Sequence, residues 1–171
     1  IDGEYPVDKI IKELKENKMV GVANGRAEFG PRALGNRSLL ADPRGVDIKD
    51  LVNTIKKRQK FRPFAPAILE EDVNDYFTLP TGVKNTPYMQ YTAACTHGKD
   101  FPAIIHHDHT SRVQTVRKTD NPGFHALLTE WKKQTGCPML LNTSLNIKGQ
   151  PMVNDRQDGK AFTKKYGVKV L

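Results

Sequence analysis

Three arginines occur together in a glycine-rich stretch near the start of the chain. Arg26, Arg32 and Arg37 lie within residues 25–38, GRAEFGPRALGNRS, whereas lysines predominate in the helical segments. A guanidinium group presents a rigid planar fork that matches a phosphate or carboxylate edge, and nearby glycines let the backbone approach a ligand closely. The stretch therefore predicts an anion-binding loop. The alternative is an ordinary surface turn with solvated arginines.

A second basic cluster spans residues 56–66, KKRQKFRPFAP, at the predicted end of a helix. Cations at this end complement the helix dipole, and helix capping would account for Lys57 and Lys60. Capping accounts less well for Arg62, which lies between Phe61 and Pro63, where its neighbours are apolar and the backbone is restricted. We therefore predict that Arg62 is a positioned, partly buried ligand contact.

Three histidines flank an aspartate in residues 106–115, HHDHTSRVQT, which raises the question of a metal site. Side chains in a strand alternate between its two faces, so His107 and His109 would lie on one face and His106 and Asp108 on the other. These groups need not converge, and no cysteine or carboxylate pair nearby completes a ligand set. We predict no metal site here.

Hydroxyl and amide side chains follow a predicted strand in residues 140–146, LLNTSLN. The carboxyl end of a strand is the usual place for a small-ligand contact in α/β domains. The alternative is a hydrogen-bonded Asx or Ser turn.

The chain contains neither a Ser-His-Asp order nor a Gly-x-x-x-x-Gly-Lys-Ser/Thr loop, so covalent catalysis and a Walker-type nucleotide site are poorly supported. What remains is chemistry by positioning and charge. Phosphoryl and nucleotidyl transfers fit that description, since the protein mainly aligns reactants and offsets charge on phosphate oxygens.

Hydrophobic periodicity and turn residues predict the elements that position these clusters in a mixed sheet. Helices are predicted at 7–17, 48–55 with Asp47 as the cap, 122–135 and 155–166, with a helical turn at 70–77. Strands are predicted at 19–23, 64–69, 88–93, 103–105, 111–116, 139–142 and 168–171. Residues 24–44 are predicted to form a long ordered loop.

The composition, 171 residues with 37% hydrophobic content, suits one α/β domain with a core. No apolar run could cross a bilayer and no signal peptide is visible, so we expect a soluble, cytoplasmic protein with Cys95 and Cys137 reduced. A first residue other than methionine suggests a piece of a longer chain. The net charge of +8 attracts polyanions without choosing among them.

Four segments resemble the C-terminal domain of O-carbamoyltransferases of the NodU, cephem and tobramycin type. They are residues 25–44 (GRAEFGPRALGNRSLLADPR), 53–66 (NTIKKRQKFRPFAP), 108–116 (DHTSRVQTV) and 141–151 (LNTSLNIKGQP). The segments follow the family's order and together span most of the chain. The resemblance implies that residues 1–171 form a single YrdC-like α/β domain, with a twisted mixed sheet flanked by helices and a concave basic surface.

In that family the domain is understood to bind carbamoyl phosphate and ATP, the latter with Mg²⁺, and to form a carbamoyl-adenylate while releasing phosphate and pyrophosphate. A separate N-terminal domain of the actin-like ATPase superfamily, absent from this sequence, then transfers the carbamoyl group to a hydroxyl. The resemblance therefore implies that this chain binds the donors without completing transfer. The resemblance does not decide whether the chain forms a homodimer.

The resemblance also assigns site residues. The positions implied to be catalytic are Lys56, Arg58, Arg112 and Ser144. Those implied to bind substrate are Arg26, Arg32, Asn36, Arg37, Arg62, Asp108, Thr110, Ser111, Asn142 and Asn146. The family usually has glycine at His109, phenylalanine at Leu145, and glutamate at Gln59 and Gln150.

Two other functions are consistent with the sequence. The basic charge, and the association of the related fold with tRNA modification, would suit a module that binds tRNA or double-stranded RNA. Aromatic residues are only 8% of the chain and do not alternate with basic ones, which disfavours nucleic acid. The departures at His109 and Gln150 would also suit a vestigial scaffold without catalytic activity.

Overall fold

The computed structural model describes residues 4–171. Its helices are α1 (Val7–Asn17), α2 (Ile48–Ile55), α3 (Val73–Tyr76), α4 (Pro122–Thr135) and α5 (Arg156–Tyr166). Its strands are β1 (Met19–Ala23), β2 (Arg37–Ala41), β3 (Ala65–Leu69), β4 (Phe77–Thr78), β5 (Thr92–Cys95), β6 (Thr110–Arg112), β7 (Gln114–Val116) and β8 (Met139–Ser144). Within this range, no helix is both long and apolar enough to cross a membrane.

The larger sheet has the strand order β1-β2-β8-β3-β7, in which only β3 and β7 run parallel. A smaller antiparallel sheet has the order β4-β5-β6. The buried residue Val113 alone separates β6 from β7, so the chain passes directly from the small sheet into the large one. The α/β fold with a mixed sheet and flanking helices is therefore confirmed.

Helices α1 and α4 contact each other and pack against strands of the large sheet. Both were predicted from apolar residues at helical spacing, and these residues are buried: Ile10, Ile11 and Leu14 in α1, and Phe124, Leu127, Leu128 and Trp131 in α4. Helix α4 begins where Asn121 Oδ1 accepts a hydrogen bond from Phe124 N (2.9 Å) and ends at Gly136, whose φ is 73°. Local capping and tertiary burial therefore favour the same helix.

The prediction of a loop over residues 24–44 was wrong in its second half. Residues 37–41 form β2, which is buried at every position and lies between β1 and β8. The strand begins with Arg37 and Ser38. Because these side chains are polar, the sequence does not show the apolar run expected of a buried strand. Ser38 is accommodated because its Oγ accepts a hydrogen bond from Gly35 N (2.9 Å).

Four smaller predictions also need correction. Residues 103–105 are not a strand, since a turn occupies residues 102–104, and the strand predicted at 88–93 lies at Thr92–Cys95. Asp47 stands at the start of α2 without a side-chain capping bond, because its carboxylate pairs with Lys18 Nζ at 2.8 Å. The predicted C-terminal strand is reduced to a parallel bridge between Val170 and Gly21.

Gly35 allows the first loop, which is residues 24–36 between β1 and β2, to approach helix α4 closely. Its φ is +120°, and a Cβ atom built there would lie 2.6 Å from the ring of Phe124. The hydroxyl of Tyr5 also donates to the Gly35 carbonyl (2.8 Å). Any side chain at this position would push the loop off the helix.

Candidate anion-binding site

A pocket of about 110 Å³ opens where the first loop, the segment after α2, strand β6 and the end of β8 meet. Three of the residues that line it are arginines and none is acidic. The lining residues are Pro31, Arg32, Ala33, Arg58, Pro63, Phe64, Ala65, Met89, Arg112, Asn142, Thr143 and Ser144. The structure thus brings together five residues of the predicted site from four separate sequence segments.

The arginines of this pocket are held close together without acidic partners. Burial lowers the pKa of Arg58, and the charges of Arg62 and Arg112 lower it further. Burial likewise lowers the pKa of Arg112, followed by the charge of Arg32. Within residues 4–171, none of these four arginines forms a salt bridge. Like charges held together in this way favour an anion between them.

Two of the arginines that line the pocket have a hydrogen-bond donor without an acceptor. The Nε atoms of Arg58 and Arg112 are buried, and neither has a hydrogen-bond partner among the described residues. A buried unpaired donor on a charged group is costly, and such groups are normally satisfied by protein, water or ligand. These two guanidinium groups are therefore suited to phosphate oxygens.

The end of helix α2 sets the position of Arg58. Lys57 has a left-handed backbone (φ 53°), with Lys57 N donating to Thr54 O at 3.1 Å and Arg58 N to Asn53 O at 2.9 Å. This pair of bonds is the Schellman motif that ends many helices. The Arg58 guanidinium carbon then lies 5.5 Å from the centre of the Phe64 ring, which supports it from one side.

Lys56 contacts the pocket residue Ser144 and has only 2% of its surface exposed. Its Nζ donates to the carbonyl oxygens of Ser144 and Asn146 and to Asn146 Oδ1 (3.1 Å). Burial, together with the charge of Arg58, lowers the pKa of Lys56 to about 7. Ser144 Oγ donates to Asn146 Oδ1 at 2.7 Å. Lys56 therefore holds the turn after β8 and does not line the pocket.

Asn142 connects β8 to the first loop. Its Nδ2 donates to Ala33 O (3.0 Å) and to Gln114 Oε1 (2.7 Å), while its buried Oδ1 has no partner in the described part of the chain. Gln114 Nε2 in turn donates to Leu34 O at 3.4 Å. Two amide side chains thus fix the loop segment that carries Arg32.

Arg37 and Ser111, both predicted to bind substrate, lie outside the lining of this pocket. The guanidinium of Arg37 is buried and donates to the carbonyl oxygens of Asn24, Gly25, Asn36 and Asn154. Ser111 is fully buried, and its Oγ donates to Ile104 O at 2.6 Å. The two terminal nitrogens of Arg37 and the hydroxyl of Ser111 are thus bonded to backbone carbonyls inside the fold, while the buried Nε of Arg37 has no partner in the described residues.

Arg62 is exposed, which corrects the prediction that it is partly buried. Its charge nevertheless lies near enough to Arg58 to lower the pKa of that residue. Arg26 is also exposed and lies outside the lining of the pocket, as does Asn36, whose Nδ2 donates to Arg26 O at 3.1 Å. Arg26 and Asn36 belong to the first loop, whereas Arg62 lies in the segment that follows α2.

Asp108 and Thr110 form a local turn outside the lining of the pocket. Asp108 Oδ1 accepts hydrogen bonds from Thr110 N (3.1 Å) and Oγ1 (2.7 Å), which hold the pKa of that carboxyl below its usual range. His109 has φ 61°, the left-handed conformation that glycine, the residue usual in the family, adopts most easily.

The histidine cluster has a different geometry from the predicted strand. Residues 106–109 form a turn, in which His109 N donates to His106 O at 3.1 Å. Across residues 4–171, no group of three His, Cys, Asp or Glu residues is placed to hold a metal ion.

Two residues important for the site were missed in the sequence. Glu28 Oε1 accepts hydrogen bonds from Leu34 N (2.7 Å), Asn36 N (2.7 Å) and Arg37 N (3.4 Å), and so shapes the first loop. The signal was a single acid in an otherwise basic loop. Asn53 is buried in α2. It begins the segment 53–66, in which only the basic residues were considered as ligand contacts. A polar residue next to the apolar stripe of the helix was the signal that could have identified it.

Residues 11–171 match the family described as Carbamoyltransferase C-terminus. The chain therefore belongs to this carbamoyltransferase C-terminal family. The resemblance found in the four segments is confirmed.

Named relatives share most of this chain but are much longer. It is 46% identical to nodulation protein NolO of Bradyrhizobium diazoefficiens over 85% of this chain and 27% of the relative. It is 38% identical to 3'-hydroxymethylcephem-O-carbamoyltransferase of Amycolatopsis lactamdurans over 94% of this chain and 30% of the relative. A nodulation protein U, from Rhizobium tropici, is 41% identical over 83% of this chain and 24% of its own length. The chain thus spans less than a third of these relatives.

Two solved structures share the fold. Full-length HypF in a phosphate- and nucleotide-bound form superimposes with a TM-score of 0.67 at 18% identity, covering 96% of this chain and 20% of HypF. A 3,4-dihydroxy-2-butanone 4-phosphate synthase in complex with two magnesium ions gives a TM-score of 0.54 at 14% identity, covering 100% of this chain and 93% of the synthase.

Proposed function

We propose that this chain is the donor-binding domain of an O-carbamoyltransferase. In this proposal it binds carbamoyl phosphate and ATP, and water cleaves carbamoyl phosphate to carbamate and phosphate. A carbamate oxygen then attacks the α-phosphorus of ATP, which forms a carbamoyl-adenylate and releases pyrophosphate. A further domain of the longer protein then transfers the carbamoyl group to a hydroxyl acceptor. Family membership and the name of the Amycolatopsis relative support the reaction class.

The observation that carries the proposal is the arginine pocket. Arg32, Arg58 and Arg112 converge on it without an acidic lining residue, and two of them have buried Nε atoms with no protein partner in the described range. Phosphate groups match such donors in charge and in planar, bidentate geometry. That HypF was solved with phosphate and nucleotide bound agrees with ligands of this type.

The chemistry requires alignment more than proton transfer. The arginines would bind phosphate oxygens and offset the negative charge that otherwise repels two anionic donors. Ser144 lines the same pocket, and Lys56 Nζ donates a hydrogen bond to its backbone carbonyl. We assign Ser144 a neutral contact to the bound phosphate and Lys56 the task of fixing the turn that presents it.

Magnesium fits this proposal as the ion that accompanies ATP. Mg²⁺ usually keeps several waters and is held by substrate phosphates with one or two carboxylates. No acidic residue lines the pocket, so the residues present fit the phosphates and not the metal directly. When bound, the ion would supply further charge neutralisation at the phosphate oxygens.

Pyrophosphate release is the experiment that tests this proposal. The chain is mixed with ATP, magnesium and carbamoyl phosphate, and pyrophosphate is followed with a coupled enzyme. We expect release that depends on carbamoyl phosphate and falls sharply in Arg112→Ala. If ATP and carbamoyl phosphate bind but no pyrophosphate forms, even with the full-length protein, the adenylate step is wrong. Binding of tRNA at physiological salt without binding of ATP would favour the nucleic-acid alternative.

A further inference from the structure

Asn53 connects helix α2 to both ends of residues 58–62, the arginine-bearing segment. Its backbone carbonyl accepts a hydrogen bond from Arg58 N (2.9 Å). Its side-chain Nδ2 donates to Lys60 O (3.0 Å) and Arg62 O (2.9 Å). One residue, with no exposed surface, therefore binds the segment where Arg58 begins it and where Arg62 ends it.

These contacts exploit features that few side chains combine. The Nδ2 group supplies two N–H donors from one planar amide, which matches the two carbonyl oxygens facing it. Leucine has a similar shape but no donor, and would remove both hydrogen bonds to these carbonyls. Asn53 Oδ1 itself has no partner in the described residues. The Asn53 amide thus lies on an otherwise apolar helix face. In the described residues, its side chain bonds only to the backbone carbonyls of Lys60 and Arg62.

We propose that Asn53 is a positioning residue, which sets the distance between the guanidinium groups of Arg58 and Arg62 and so the affinity for phosphate groups. This inference rests on the proposed function, because it assumes that the arginine pocket binds phosphates. Asn53 touches no ligand in this account. It acts through the backbone of residues 58–62, which would otherwise be free to move the two charges apart as they repel each other.

The test measures the affinity of the chain for inorganic pyrophosphate by calorimetry in wild type, Asn53→Leu and a control. The control is Asp155→Ala, which removes the cap of α5, where Asp155 Oδ1 accepts from Gln157 N (2.8 Å) and Asp158 N (2.9 Å). It lowers stability away from the arginine-bearing segment. We expect Asn53→Leu to weaken binding about tenfold, as a small misplacement of binding groups can, and the control to change it less than about twofold.

To distinguish a positioning role from a merely structural one, the titration of Asn53→Leu is repeated in an Arg58→Ala background. If Asn53 acts through Arg58, most of the loss in affinity disappears there, because the misplaced group is already absent. Equal losses in both backgrounds, or wild-type affinity in Asn53→Leu, would overturn the inference. If Asn53→Leu does not fold, Asn53→Ser, which cannot span both carbonyls, is measured in the same way. A wild-type chain that does not bind pyrophosphate would instead refute the proposed function itself, and the inference with it.

Discussion

Lys56 and Asn146 are joined by two hydrogen bonds, from Lys56 Nζ to the carbonyl oxygen (2.8 Å) and to the side-chain oxygen (3.1 Å) of Asn146. A buried lysine thus fixes the turn that follows β8. The same ammonium contacts Ser144, which lines the arginine pocket. Stability and site geometry therefore depend on one residue.

The first prediction concerns the pH dependence of stability. Burial lowers the pKa of Lys56 to about 7 from its ordinary value of 10.5, so the unfolded chain binds more protons between these values. The free energy of unfolding should therefore rise with pH over that window, by up to about 1.4 kcal/mol per unit from this group. Urea unfolding from pH 6.5 to 9.5 should show this rise in wild type but not in Lys56→Met. Parallel curves would contradict it.

The second prediction concerns coupling between Arg112 and Ser144. Both line the pocket, so both should meet one bound phosphate, with the charge-assisted contact of the arginine about twice as strong. We expect Arg112→Lys to weaken binding of carbamoyl phosphate more than Ser144→Ala does. The double variant should deviate from additivity by about 0.5–3 kcal/mol. Strict additivity in the affinities would mean that the turn after β8 is only structural.

The third prediction separates Arg37 from the arginines of the pocket. Its guanidinium donates to four backbone carbonyls and is buried, so Arg37→Met should lower the free energy of unfolding by about 2–4 kcal/mol. Arg32→Met, at an exposed position in the loop that precedes β2, should change stability by less than about 0.5 kcal/mol. Chemical denaturation checks both values. A stable Arg37→Met variant with weakened ATP binding would restore Arg37 as a ligand contact.

The fourth prediction concerns the backbone of His109. Because its φ is 61°, His109→Gly should relieve left-handed strain and raise the free energy of unfolding by about 0.5–1 kcal/mol. His107→Gly, at a neighbouring position whose φ is not positive, should have the opposite sign, since it only adds freedom to the unfolded chain. If both variants lose stability equally, the side chain of His109 makes a compensating contact.

The sequence predicted the helices and most strands well, because their apolar residues recur at regular spacing and become buried. It failed at β2, where Arg37 and Ser38 enter the sheet with side chains that form hydrogen bonds to backbone atoms. The burial of Arg37 depends on the backbone carbonyls of Asn24 and Asn154, which lie far apart in the chain. The spacing of apolar residues gives no information about such hydrogen-bond partners.

Residue type and family resemblance placed Arg32, Arg58, Arg112, Asn142 and Ser144 in one site, and the structure brings them into one pocket. They did not separate the arginines of the pocket from Arg37, since guanidinium groups that bind backbone carbonyls and those available to a ligand look alike in sequence. Nor did they indicate that Asn53 and Gln114 hold the loops. These roles depend on which backbone atoms the fold brings within hydrogen-bond distance.

The most direct test of the central claim is calorimetric titration of the chain with ATP and with carbamoyl phosphate, in wild type and in an Arg58→Met, Arg112→Met double variant. These changes keep much of the side-chain volume while removing the two unpaired buried donors. Each lost charged contact should cost about 1.5–3 kcal/mol, so we predict binding of both ligands by wild type and at least about a hundredfold loss in the variant. Equal affinities in two folded proteins would contradict the claim that this pocket binds the phosphate groups.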